Sequence, residues 1–402
     1  MKFDAVLNDI KPSRKTRKTV LALANLLIRK IRIPGTKAVI GGSFAKDTWL
    51  NSTRDIDIYV KFDYKRYHKH SEAISDILEK ALKKHFRFSR LHGSRDYFQI
   101  RHGEYMFEIV PILNITRPEQ ALNITDFSSF HVNYVRKHKK LADDIRLAKA
   151  FAKAQDVYGA ESYIRGFSGY ALELLVIKHG SLLNLIKSAS KWEPKVIIGS
   201  RKSAERLSWA KKVSPLILID PVQPDRNAAA ALSDEKFWVF VQACKKFLKK
   251  PSEELFAKQP IDMERLKKLG KVIAVNITPL KGKEDVVGAK ALKAFEYIKS
   301  QITRREFLLK FAHFQFEEKT RFYFVVNNEL LGEFTVAVGP PVNMKEHYED
   351  FLKKHPESEV EDGRAIAHVK RDFRSITGLI EHLIRDQEVA SRVQEASYEV
   401  LE

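Results

Sequence analysis

Two aspartates one residue apart, Asp55 and Asp57, stand inside the otherwise apolar run DIDIYVKF. Residues i and i+2 of a strand point to the same side, so this spacing projects two carboxylates from one face. Aspartate is depleted in strands and like charges on one face repel, so the pair needs something that offsets its cost. Mg²⁺ takes hard oxygen ligands and would turn that repulsion into coordination. Glu108, in MFEIVPI, is a third acid among apolar neighbours. Asp55, Asp57 and Glu108 form a candidate two-metal site of the kind that clamps attacking and leaving oxygens in phosphoryl or nucleotidyl transfer. The competing account is a set of solvated charges on a half-exposed sheet.

Upstream, Gly41-Gly42-Ser43 follows an apolar run and leads into AKDTWL. Glycines at such a turn are expected to bring backbone N–H groups close to phosphate, with Ser43 as an added donor. Lys46 lies one turn further on, where its charge meets the same phosphates.

These residues need elements to hold them. Residues 13 to 31 carry leucines at helical spacing behind a basic first turn, and KAVIGG is expected to form a short buried strand. DIDIYVKF alternates, with Ile56, Ile58 and Val60 on the face opposite the aspartates. SEAISDILEKALKKHF predicts a helix capped by Ser71, and RDYFQIRHGEYMFEIVPI predicts two strands joined at His102-Gly103. From about 126 to 250 the pattern is mainly helical, interrupted by PLILIDPV. Strands return after residue 258 in KVIAVNI, EFLLKFAHFQF, RFYFVV and EFTVAVG, mixed with the helix AKALKAFEYIKSQ.

The whole is an α+β multidomain chain, with a head over 1–125, a helical central domain over 126–257 and an α+β region over 258–402. The formal charge of +20 over the 402 residues favours a polyanionic partner. No apolar stretch is long enough to cross a membrane, and the first residues carry charges where a secretion signal has an apolar run, so a cytoplasmic protein is expected. One cysteine, Cys244, excludes an intramolecular disulfide and cysteine-based zinc sites.

The spacing from Gly-Ser to D-x-D resembles the signature of the polymerase β nucleotidyltransferase superfamily. GSFAKDTWL, FEIVPI, AKAFAKAQDVYGAESYIRGFSGYALELL and DPVQPDRNAAAALS are similar to blocks of the archaeal-type, class I CCA-adding enzymes, densely from about residue 38 to 232. Beyond that segment, VGPPV and DGRAIAHVKRDF are also similar.

The resemblance implies a polymerase β-like head and a tRNA nucleotidyltransferase that builds or repairs the 3′ CCA end from CTP and ATP. It places Asp55, Asp57 and Glu108 on the metal-binding positions and Ser43 and Lys46 on positions that contact the nucleotide's phosphates. His131, Lys149 and Tyr158 match further nucleotide ligands, while Arg226 and Asn227 lie in the segment facing the base. Lys46 stands where arginine is usual, and Glu108 where a third aspartate is usual. Mg²⁺, tRNA, CTP and ATP are the implied cofactor and partners, and a homodimer is compatible. A poly(A) or oligoadenylate-forming relative would share the chemistry, and an inactive RNA-binding relative would share the fold.

Overall fold

The structure, a computed structural model, describes residues 3–317 and 319–401. The chain divides into two compact units, Met1–Gln259 and Pro260–Glu402.

The first unit opens with the short helix Asp4–Ile10 and the helix Arg14–Lys30, whose first turn is capped by Ser13 Oγ accepting from the Thr16 N–H at 3.0 Å. A five-stranded sheet follows, built from β1 (Thr36–Ile40), β2 (Asp55–Asp63), β3 (Ser89–Leu91), β4 (Tyr97–His102) and β5 (Tyr105–Asn114). Their order is β1-β2-β5-β4-β3, and only β2 and β5 run parallel among them. Ile56, Ile58, Val60 and Phe62 are each at most 1% exposed. They pack with Val20, Ala24 and Leu27 of the helix Arg14–Lys30 and with Ile74, Leu78 and Leu82 of the helix Ile74–Leu82. Each such side chain contributes about 1.5–3 kcal/mol on burial, so the register is strongly held. A one-residue slip would drive Asp55 and Asp57 into this core.

The helix expected to open at Ser71 begins instead at Ile74, without a side-chain cap. Residues His68–Ala73 form a 3₁₀ segment kinked at His70 (φ −130°), so Ser71 cannot reach the first helical amides.

Behind the sheet stand the helices Ser128–Lys137, Ala142–Ala154, Gly169–His179, Leu182–Ala189 and Asp234–Lys249. Phe151, Phe167, Leu172, Phe237, Phe240 and Phe247 form their shared core, and Cys244 is enclosed within it. The apolar run PLILIDPV becomes β7 (Leu216–Leu218), paired in parallel with β6 (Val196–Ile198).

The second unit has an antiparallel sheet of order β14-β8-β10-β9, from β8 (Lys271–Thr278), β9 (Leu309–Gln315), β10 (Thr320–Val326) and β14 (Glu395–Leu401). The helices Glu284–Arg304 and Ile376–Arg385 accompany it. A smaller sheet has the order β11-β13-β12, from β11 (Phe334–Pro341), β12 (Glu359–Glu361) and β13 (Arg364–Lys370). Among the described residues, no helix is long and apolar enough to cross a membrane.

Candidate active site

In the parallel pair β2-β5, Asp57 lies opposite Glu108 and Asp55 opposite Met106. The three acids therefore share one side of two adjacent strands. Burial, then the charges of Glu108 and Asp55, raise the Asp57 carboxyl from 3.8 to about 7, against the opposing pull of Lys46. Three mutually repelling oxygen donors of this kind suit a hard divalent cation. Among the described residues, no three His, Cys, Asp or Glu side chains gather closely enough to hold a metal as they stand. Glu108 Oε1 accepts from Gln99 Nε2 on the neighbouring strand at 2.9 Å.

The glycine turn works differently from the expectation. The Gly41 N–H donates to the Asp57 carbonyl at 2.8 Å and the Gly42 N–H to the Tyr59 hydroxyl at 3.1 Å, so neither is aimed at a phosphate. What the turn needs is room. Gly42 has φ +52°, and a Cβ there would lie 1.7 Å from Asp57 Oδ2. Gly42→Ala is therefore expected to displace the Asp57 carboxylate and destabilise the fold by about 1–3 kcal/mol, readable by denaturant unfolding. Wild-type stability in that variant would show that the turn and the acids are independent.

The short helix Gly42–Lys46 sets Lys46 toward the helical layer, where Nζ donates to Glu173 Oε2 at 2.8 Å. Lys149, from the helix Ala142–Ala154, donates to Glu173 Oε1 at 2.8 Å and to the Thr48 carbonyl and Oγ1 at 3.1 Å each. Burial would raise the Glu173 carboxyl, but Lys149 and Lys46 outweigh it and hold it at about 2. Burial lowers the Lys149 ammonium more than Glu173 raises it. Arg146 fixes the loop that carries Thr48, donating to the carbonyls of Asp47 at 2.7 Å and Trp49 at 3.1 Å.

Tyr158 belongs to the same corner. A Cβ on Gly169 would lie 2.9 Å from the Tyr158 hydroxyl and 3.7 Å from Lys149 Nζ, so this glycine lets tyrosine and lysine close on the start of the helix. Lys153 places its ammonium 5.1 Å from the Tyr158 ring centre, and Asp55 raises it although burial lowers it on balance.

A second buried acid, Asp220, organises the other side. Its Oδ1 accepts from the Tyr170 hydroxyl at 2.9 Å and from the Val222 N–H at 2.9 Å, and its Oδ2 accepts from Arg226 at 3.2 Å. His131 Nε2 lies 3.3 Å from Asp220 Oδ2 without hydrogen-bond alignment, and its ring meets Tyr170 at 4.3 Å between centres. Burial lowers the His131 imidazole more than Asp220 raises it, which favours the neutral ring. Lys46 and Arg226 flank the Tyr170 ring at 5.0 and 5.8 Å. Tyr170 thus joins the lysine corner to the Asp220 corner.

Asn227 does not face this space. Its Oδ1 accepts from the Leu218 and Ala229 amides, each at 2.9 Å, and its Nδ2 donates to the Lys211 and Leu216 carbonyls, each at 3.0 Å. All its polar capacity is spent in holding the Arg226 segment on β7, so the base-facing role implied for it gives way to a structural one.

Residues 143–257 match the family model for the second domain of tRNA nucleotidyltransferases, and residues 270–402 match that for the C-terminal domain of CCA-adding enzymes. A CCA-adding enzyme of Nanoarchaeum equitans is 36% identical, over 83% of this chain and 84% of its own length. The chain belongs to the CCA-adding enzyme family. A CCA-adding enzyme of Methanosarcina barkeri is 28% identical across all of this chain and 93% of its own. Among solved structures, the Cid1 poly(U) polymerase covers 63% of the chain and 97% of its own, at 16% identity and a TM-score of 0.51, a likeness of fold. Within this CCA-adding family member, Glu173, Asp220, Tyr170 and Lys153 were not marked by local pattern. The one available signal was a charge inside an apolar helix, Glu173 within YALELLVI.

Proposed function

We propose that Asp55, Asp57 and Glu108 carry the chemistry of a CCA-adding tRNA nucleotidyltransferase, which builds and repairs the 3′-terminal CCA of tRNA from CTP and ATP and releases pyrophosphate. The observation that carries this reading is the β2-β5 register that sets Asp57 against Glu108 beside the Gly42 turn. Two Mg²⁺ ions held by these acids would lower the pKa of the terminal 3′-hydroxyl and neutralise the triphosphate.

The chain's own groups supply the rest. Glu108 would hold a metal together with the aspartates, with Gln99 donating to its Oε1. Lys46, Lys149, Ser43 and Tyr158 receive the triphosphate and set its α-phosphate against the incoming hydroxyl, which provides the orientation term. His131, neutral, adds a hydrogen-bonding ring on the Asp220 side. Arg226, 29% exposed and steadied by Asp220, presents its planar donors to the base. The excess positive charge lies in the first unit, while the second unit offers local basic stretches to the tRNA, whose A-form acceptor stem is read through backbone and 2′-hydroxyls. The enzyme works in the cytoplasm.

The test uses tRNAs ending before the first C, before the second C and before the A, each with one nucleotide at a time. CTP is expected to extend the first two and ATP the third. UTP, included because the Cid1 likeness is to a poly(U) polymerase, is expected to extend none. Repeated addition of A to every substrate would replace this reading with a poly(A)-type activity.

A further inference from the structure

Glu173 is 1% exposed and uses both carboxylate oxygens at the junction of three elements. Oε2 takes Lys46 from the Gly42–Lys46 helix, while Oε1 takes Lys149 at 2.8 Å and the Thr48 hydroxyl at 2.6 Å. A carboxylate buried this deeply is tolerated only where close cations and donors offset its desolvation. Here the offset runs both ways, because the same carboxylate is the counter-charge of two lysines on the nucleotide's side.

We propose that Glu173 is a positioning residue for nucleotide binding: it does not touch the nucleotide, but it fixes Lys46 and Lys149 where the triphosphate meets them. The proposal rests on the reading of these lysines as phosphate ligands. The two lysines then have different tasks. Lys149 is 3% exposed and has three acceptors around one ammonium, so it acts as a fixed positive charge behind the phosphates. Lys46 is 10% exposed and reaches one carboxylate oxygen, with the Tyr170 ring 5.0 Å away, so it is the lysine that can swing from carboxylate to phosphate. Glu173 is the only acid among the causes that shift Lys149; Lys46 and Arg146, the other charged groups acting on it, oppose its charge.

The test measures KM for CTP, for ATP and for tRNA in Glu173→Gln, Lys46→Met, Lys149→Met and the double variant Glu173→Gln/Lys149→Met, with circular dichroism to confirm folding. Glu173→Gln is expected to raise KM for both nucleotides by about tenfold, as loss of charge-assisted hydrogen bonds does, and to leave KM for tRNA unchanged. The double variant is expected to be no worse than Lys149→Met alone within about twofold, because the two changes act through one ammonium. Nucleotide KM values unchanged in Glu173→Gln, while the lysine variants raise them, would overturn the proposal. Equal losses of nucleotide and tRNA affinity would also overturn it, in favour of a packing role. Lysine variants with unchanged nucleotide KM would remove the reading beneath it, a separate failure. If Glu173→Gln does not fold, Thr48→Val removes one donor to Oε1 and one acceptor of Lys149, and leaves every charge in place. That variant is expected to raise both nucleotide KM values by about two- to threefold, and unchanged values would overturn the proposal.

Discussion

Asp57→Asn is expected to abolish nucleotide addition, with kcat lowered by at least about a thousandfold, and to leave the metal-free protein slightly more stable than wild type. Both effects come from one carboxylate. Removing its charge takes away a proposed metal ligand on the acidic strands, and it also relieves the repulsion from Glu108 and Asp55. The sign follows from the raised folded-state value. Asp57 releases its proton near 3.8 in the unfolded chain but at about 7 in the folded one, so folding is penalised progressively as pH rises through that window. In EDTA at pH well above that window, the asparagine variant is expected to melt about 2 °C higher, and below the window the two proteins should converge. Asp55→Asn should lose activity likewise. Glu108→Asp should retain measurable addition, since a carboxylate remains at the head of the same strand pair. Wild-type rates in Asp57→Asn would end the metal assignment, and a lower melting temperature in EDTA at high pH would end the repulsion argument.

A fragment ending at Gln259 is expected to bind CTP and ATP with Mg²⁺ as the full chain does, while losing at least about tenfold in tRNA affinity. The first unit contains all the acids, lysines and arginines of the candidate site, and its two hydrophobic cores are built from its own residues. The second unit carries the basic stretches ERLKKLGKV, KSQITRREFLLK and HVKRDFRS. If these neutralise phosphates, the slope of log affinity against log salt should become shallower by about 0.7–0.9 for each phosphate that the fragment leaves unneutralised. Filter binding at several salt concentrations reads both quantities. Equal affinity and equal slope for fragment and full chain would show that the second unit is not an RNA anchor.

The acids of the site were legible in the sequence because a strand's period of two makes local order into geometry. DIDIYVKF states which residues face the core and which face away, and the observed burial of Ile56, Ile58, Val60 and Phe62 follows from that alternation. The second unit's β8, β9, β10 and β11 were visible for the same reason. β14, at the far end of the chain, pairs with β8, and nothing local in EASYEVL announces a partner more than a hundred residues away. Glu173 and Asp220 were illegible in a different way. Each acquires its meaning from cations that other elements bring to it, Lys46 and Lys149 for one and Arg226 for the other, and such convergence is a property of packing. Asn227 shows the converse. Its neighbours in PDRNAA suggested contact with a base, but four backbone partners claim its amide once β7 forms. Ser71 failed as a cap because a kink at His70 intervened, a backbone detail that residue type does not report.

The enclosure of Cys244 has a practical side. It is the chain's single thiol, buried in the helix Asp234–Lys249, and burial pushes its proton affinity up. Thiol-directed dyes react with the thiolate, so the native protein offers them no competing target near neutral pH. A cysteine introduced at an exposed position in either unit therefore becomes the sole labelling point without any change to the core. Fluorophores placed this way can report tRNA capture and each successive nucleotide addition, one molecule at a time, on an otherwise unaltered enzyme.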